Sequence, residues 1–225
     1  MARDRRSRAR TPASRPRARA VAPAPVAPLG PLVLGAIPGA TPGRWVETWR
    51  ERTPSAPLDL RWITVSAQRS TLDAGDVDAA IVRLPIERAG LHVIPLYEEV
   101  AVVVASAESH LLAADELDVA DLAGETLIVP ADDVLGIEAP GVLAPAFDPP
   151  ATTEDAVALV AAGVGVTVVP MSLARLHHRR DVDRRPLRGG PASAVALAWV
   201  ADRTTPEVEA FVGIVRGRTA NSSRR

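Results

Sequence analysis

Thr152-Thr153-Glu154-Asp155-Ala156-Val157-Ala158-Leu159-Val160-Ala161-Ala162-Gly163-Val164-Gly165-Val166-Thr167-Val168-Val169-Pro170 reads as a capped helix, a glycine stop, a tight turn and a buried strand. Thr152 or Thr153 supplies the capping hydroxyl, and Glu154 and Asp155 complement the positive end of the helix dipole. Gly163 falls where a left-handed residue ends a helix. Val164 to Val169 is an apolar, β-branched run of strand length. A helix N-terminus beside a sheet edge is a natural site for a small anion, because its first amides have no partner within the helix.

The same alternation continues on either side. Leu32 to Ile37 predicts a first strand. Thr41-Pro42 then opens a helix, with Thr as cap and Pro at the first helical position, and this helix carries Trp45, Val46 and Trp49. Leu58 to Ile63, a helix from Ser66 to Ala74 stopped by Gly75, and Asp78 to Leu84 complete two strand–helix–strand crossovers, the pattern of a parallel sheet. Leu91 to Leu96, Val100 to Ala105, Thr126 to Pro130 and Val195 to Val200 read as further strands. Residues 131–150 read as a loop, Ser172 to His178 as a helix, and Thr205-Pro206 as the start of a last one.

Composition narrows the chemistry. The 225 residues carry a net charge of -1, but eight Arg and one Asp in residues 1–30 make a local +7, which leaves -8 on the rest. This Arg/Pro/Ala tail cannot bury enough surface to offset its ordering entropy and reads as disordered, as do residues 218–225. With no Cys, disulfides and thiolate metal sites are excluded, which fits a cytoplasmic location. With no Lys, Schiff-base chemistry and the P-loop lysine are excluded as well. Neither a zinc-type ligand spacing nor a Gly-x-Ser-x-Gly elbow occurs, so metal, cofactor and enzymatic readings have no support. No apolar run is long enough for a membrane span. Pro23, Pro25, Pro28 and Pro31 break the stretch that could imitate an export signal.

Several segments, in order, resemble the effector-binding domain of LysR-type transcriptional regulators. They are the Leu32 strand with Thr41 at the turn after it; Leu72-Asp73-Ala74-Gly75-Asp76-Val77-Asp78-Ala79-Ala80-Ile81; Ile94 to Ala105 followed by Ser109-His110-Leu111-Leu112; Asp121-Leu122-Ala123-Gly124-Glu125; and Ala161 to Pro170. The resemblance runs from about Pro31 to Gly217. The winged helix-turn-helix that opens such regulators has no counterpart before Leu32, so the sensing half alone is implied. The implied fold is α/β: the two-lobed periplasmic-binding-protein type II fold, each lobe a mixed, mainly parallel sheet flanked by helices. Lobe 1 is expected over residues 31–104 and 195–217, and lobe 2 over 105–194. A small, anionic effector would bind between them, and lobe 1 would pair two copies side by side, with Trp45 and Trp49 as candidates for that surface or for the core.

The resemblance and the local chemistry together nominate site residues. Thr41, with the adjacent amides, would hold a ligand carboxylate; Pro42 has no N–H, which shifts that task to Gly43 and Arg44. Thr64 and Ser66 follow the second strand and read either as caps or as cleft-facing hydroxyls. Arg83 ends the third strand, where it would pair a ligand carboxylate or an acid of its own lobe. Thr152 and Thr153 would clamp from the opposite side. Gly165 permits close backbone approach, and Pro130 and Ala131 lie at a strand end facing the same cleft. Two other readings stand beside this one: an exported solute-binding protein of the same fold, and sequence-blind phosphate binding by the Arg tail.

Overall fold

The computed structural model describes residues 28–217. Most of the expected tails therefore lie outside the described residues. Gly30 is described, and its amide donates to the Glu207 carboxylate at 2.6 Å. No described helix is long and apolar enough to cross a membrane.

Two sheets organise the chain. The first contains β1 (Leu32–Ala36), β2 (Leu58–Trp62), β3 (Ala79–Arg83), β4 (Leu91–Glu99) and β9 (Ser193–Val200), in the order β2-β1-β3-β9-β4. Its β1–β2 and β1–β3 pairs are parallel, and β9 runs antiparallel to both β3 and β4. The second contains β5 (Ala101–Ser106), β6 (Leu117–Asp118), β7 (Thr167–Pro170) and β8 (Val182–Arg188), in the order β6-β8-β5-β7. It is mixed too. The mainly parallel arrangement expected for it is not what forms, because its longer ladders, β5 with β7 and β5 with β8, are antiparallel.

Burial on both faces explains why β1, and β3 up to Val82, are apolar. Leu32, Leu34, Ala36 and Ile81 pack with Trp49 of α1 (Gly43–Arg52) and Phe211 of α5 (Pro206–Val215) on one face. Val33, Ala80 and Val82 meet Leu72 of α2 (Gln68–Ala74) on the other. A strand covered on both faces has no polar side, so period-two patterning disappears. Trp49 is fully buried, its indole N–H donates to Ala56 O at 2.8 Å, and its ring lies 6.1 Å from that of Phe211. It therefore belongs to the core, not to a pairing surface. In the second sheet Val102 and Val104 meet α3 (Thr153–Ala161) and α4 (Met171–Leu176), while Ala101, Val103 and Ala105 face the opposite cluster.

The chain passes between sheets at Val100, from β4 to β5, and again between β8 and β9. These crossings differ from the expected junctions at 104/105 and 194/195. Ala101 to Val104 pair with β7, and Ser193 pairs with Glu99. An unbroken valine run does not reveal where a strand changes sheets. The strand expected over Thr126 to Pro130 is reduced to isolated bridges, Thr126 to Leu143 and Leu127 to Val166.

Candidate functional site

The two helix N-termini singled out by sequence, those of α1 and α3, have different cap geometries. At α3 the reading holds: Thr152 is the extended N-cap and accepts from Asp155 N, and Gly163, at φ 77°, ends the helix. Gly163 N donates to Val160 O and Val164 N to Leu159 O, the two bonds of a Schellman closure. Thr153 is buried, and its hydroxyl donates to Asp132 Oδ1 at 2.9 Å. At α1 the reading fails. Pro42 is the N-cap, its backbone is already helical, and no side chain caps the helix. The Thr41 hydroxyl is therefore not occupied as a cap.

A cavity of about 1500 Å³ lies between the sheets. Of the sequence-nominated residues, Thr41, Thr64, Ser66, Arg83, Thr152 and Thr153 line it. Gly43, Pro130 and Gly165 do not line it. The exposed Gly43 starts α1 on the solvent side, with nothing within 4 Å of an added Cβ. Pro130 is buried behind Ala131, which does reach the cavity. Gly165 serves a close backbone approach, since an added Cβ would overlap the Thr126 carbonyl.

Arg83 dominates the site. It is 2% exposed at the end of β3 and also borders a second, smaller cavity of about 360 Å³. Its backbone is held by Gln68, which donates from Nε2 to Arg83 O at 2.8 Å and accepts from Arg83 N at 2.9 Å. Its Nη1 pairs with Glu99 Oε2 at 2.9 Å and also donates to the Ser193 hydroxyl. Glu99 Oε2 in turn accepts from Ser172 of α4 at 2.8 Å. The remaining nitrogens, Nε and Nη2, are buried without a hydrogen-bond partner among the described residues. Buried guanidinium donors are normally hydrogen-bonded, so these two nitrogens are exceptions to the usual satisfaction of buried polar groups.

Glu99, Ser172, Ser193 and Gln68 were not nominated from sequence. They come from four separate elements, and only the folded arrangement brings them to Arg83. A lone Arg closing the run Ala79-Ala80-Ile81-Val82 does demand an acidic partner. Tyr97, two residues before Glu99, also lines the cavity. Burial pushes its phenol above the ordinary value and nearby Glu99 adds to this, while Arg83 and hydrogen bonding with Thr41 pull it back. The exposed ring of Trp62, at the end of β2, forms another part of the wall.

The sequence model of the LysR substrate binding domain matches residues 27–220. Among curated relatives, the HTH-type transcriptional regulator AlsR of Bacillus subtilis (strain 168) is 26% identical over 198 residues, 82% of this chain and 65% of AlsR. The HTH-type transcriptional regulator CatR of Pseudomonas putida is 31% identical over 168 residues, 70% of this chain and 57% of CatR. The chain thus spans less than two thirds of the length of either. The reduced OxyR regulatory domain from Pseudomonas aeruginosa superposes with a TM-score of 0.64 at 25% identity, covering 83% of this chain and 95% of that one. The BenM effector binding domain with its effector benzoate superposes with a TM-score of 0.69 at 18% identity, covering 84% and 91%, and shows the shared fold.

Proposed function

We propose that this chain, which belongs to the LysR substrate binding domain family, is the effector-sensing part of a transcriptional regulator and takes a small carboxylate-bearing metabolite between its two sheets. The observation that carries this reading is Arg83, a cavity-lining residue whose Nε and Nη2 are enclosed with no hydrogen-bond partner among the described residues. These nitrogens form one edge of the planar guanidinium and match a carboxylate in bidentate fashion, while Nη1 keeps its bond to Glu99. Thr41, Thr64 and Ser66 add hydroxyls from the same lobe, and Thr152 and Thr153 face them from the other. The α3 N-terminus contributes less attraction for an anion than its position suggests, because Glu154 and Asp155 already occupy its first turn.

In this proposal, residues 28–100 with 193–217 form one lobe and 101–192 the other, and the ligand draws them together about the crossings near Val100. Closure would alter a pairing surface on the first lobe and so reach the rest of the regulator. The relatives AlsR and CatR are transcriptional regulators, and the effector of BenM is benzoate, a carboxylate. A thiol–disulfide switch has no place here, since the sequence contains no Cys.

The test is a thermal-shift screen of small carboxylic acids on the wild-type protein and on Arg83→Lys. A ligand at a hundred times its Kd stabilises the folded state by about 2.7 kcal/mol, which a melting curve resolves. Carboxylates that stabilise the wild type and not the variant support the reading. Equal stabilisation of both proteins contradicts it.

A further inference from the structure

We propose that the effector carries an aromatic ring, and that this ring lies on the exposed indole of Trp62; the inference rests on the cavity between the sheets being the effector site and adds the class of molecule it takes. Trp62 closes β2, the edge strand of the first sheet. Its main chain is held in register opposite Ala36 of β1, and the next amide, Ile63 N, donates to Ala36 O at 3.0 Å. The side chain has no such tie. It is 63% exposed and belongs to none of the apolar clusters. Among the described residues its indole has neither a ring neighbour nor a hydrogen-bond acceptor. Trp49 and Trp199 differ. Both are buried, each has a ring neighbour, and their indole N–H groups donate to Ala56 O and Thr204 Oγ1. Folding alone therefore gives no reason for a tryptophan at position 62.

The cavity supplies that reason. Trp62 lines it, and so do Val100 and Leu176, two further large apolar side chains that the fold leaves exposed. The three come from the edge of the first sheet, the link between the sheets and the end of α4 in the second lobe. Exposed apolar surface gathered around a concavity marks a place where a ligand buries apolar surface of its own. Tyr97, the only tyrosine of a chain with 3% aromatic residues, lines the same cavity. The face of an indole is flat and carries the negative side of a quadrupole. It gains more from an aromatic ring placed against it than from a saturated ring of the same size, which offers area alone. Charge points the same way. Beside the Arg83–Glu99 pair, the carboxylates of Glu98, Asp132, Asp133 and Glu154 outnumber the one further guanidinium, that of Arg175. A second anionic group on the effector would be opposed by that excess, and an uncharged ring would not.

The experiment is calorimetry on the whole chain with acids matched in shape: phenylacetate with cyclohexylacetate, 3-phenylpropanoate with 3-cyclohexylpropanoate, and 2-naphthoate with its decahydro counterpart. Each is titrated into the wild type, Trp62→Ala and Trp62→Tyr. The proposal expects at least one aromatic acid to bind ten-fold or more tightly than its saturated partner, Trp62→Ala to abolish that preference, and Trp62→Tyr to keep most of it. Thermal melts of both variants should lie close to the wild type, because the ring supports no packing; a large loss of melting temperature in Trp62→Ala would show that the ring serves the fold and overturn the inference. Saturated partners that bind as well in every pair overturn the stacking and leave the cavity standing as the effector site. A preference that survives Trp62→Ala overturns the placement of the ring on Trp62. Aliphatic acids that bind while no aromatic acid does overturn the aromatic class alone. A protein that binds no carboxylate in this panel or in the thermal-shift screen overturns the effector reading along with it.

Discussion

Arg83 Nη1 and Glu99 Oε2 pair at 2.9 Å where the first sheet hands the chain to the second: Glu99 is the last residue of β4, and Val100 is the link to β5. Ser172 of α4 donates to the same oxygen, so one carboxylate ties together the end of β3, the crossing and a helix of the other lobe. The pair fixes the guanidinium through Nη1, while Nε and Nη2 have no hydrogen-bond partner among the described residues.

The stability consequence is asymmetric. Removing one member of a buried pair strands the other charge, at a cost of about 3–5 kcal/mol, whereas an apolar replacement of both is much milder. Arg83→Met should therefore destabilise the protein more than the double change Arg83→Met with Glu99→Met. Urea denaturation of the wild type, both single variants and the double variant checks this, and a double variant weaker than Arg83→Met by the full Glu99→Met effect would show that the two residues act independently.

Two threonines that look alike in sequence should behave differently. Thr205 precedes Pro206 and accepts from Val208 N as a true N-cap, so Thr205→Ala should cost about 1 kcal/mol. Thr41 precedes Pro42 and is exposed, with no capping bond to α1. Thr41→Ala should change stability by less than about 0.5 kcal/mol. Thermal melts of the two variants decide between the caps.

Gly165→Ala should destabilise by about 1–3 kcal/mol, since its Cβ would overlap the Thr126 backbone carbonyl, which cannot easily give way. Gly43→Ala, with open space around it in the first turn of α1, should instead stabilise by about 0.5–1 kcal/mol. Neither glycine lines the cavity, so both variants should keep wild-type ligand affinity.

Stability should fall at both extremes of pH, through different groups. The Glu207 carboxyl lies below its ordinary value of 4.5, chiefly because it accepts from the Gly30 amide. Its contribution is present above about pH 4.5 and is lost as pH falls through the lowered folded value. Tyr97 is shifted the other way, above its ordinary 10.0, chiefly by burial. Its contribution is present below pH 10 and is lost as pH rises through the raised folded value. Melting temperatures across pH should show Glu207→Gln flattening the acid limb and Tyr97→Phe flattening the alkaline limb, each without effect on the opposite limb.

How much of this was legible in the sequence depends on where the burial lies. Strands such as Leu32–Ala36 and helix stops such as Gly75 and Gly163 carry their own signals, an apolar run or a residue tolerant of positive φ. Strand Val182–Arg188 does not. It holds Asp183, three Arg and Pro186, with only Val182 and Leu187 fully buried, and it forms because β5 and β6 flank it. The site divides in the same way. Arg83 stands out as a charge closing an apolar strand. Glu99, Ser172 and Ser193 lie 16, 89 and 110 residues further along the chain, and only the paired crossings between the sheets bring them to it.

Whether the Nε/Nη2 edge of Arg83, unbonded among the described residues, receives a ligand carboxylate as proposed is read directly by arginine side-chain NMR. The Nε–H resonance of Arg83, assigned by its loss in Arg83→Lys, should shift markedly and saturably when a stabilising carboxylate from the thermal-shift screen is titrated in. Saturation of that ligand at other resonances, with the Arg83 Nε–H signal unmoved, would contradict the account.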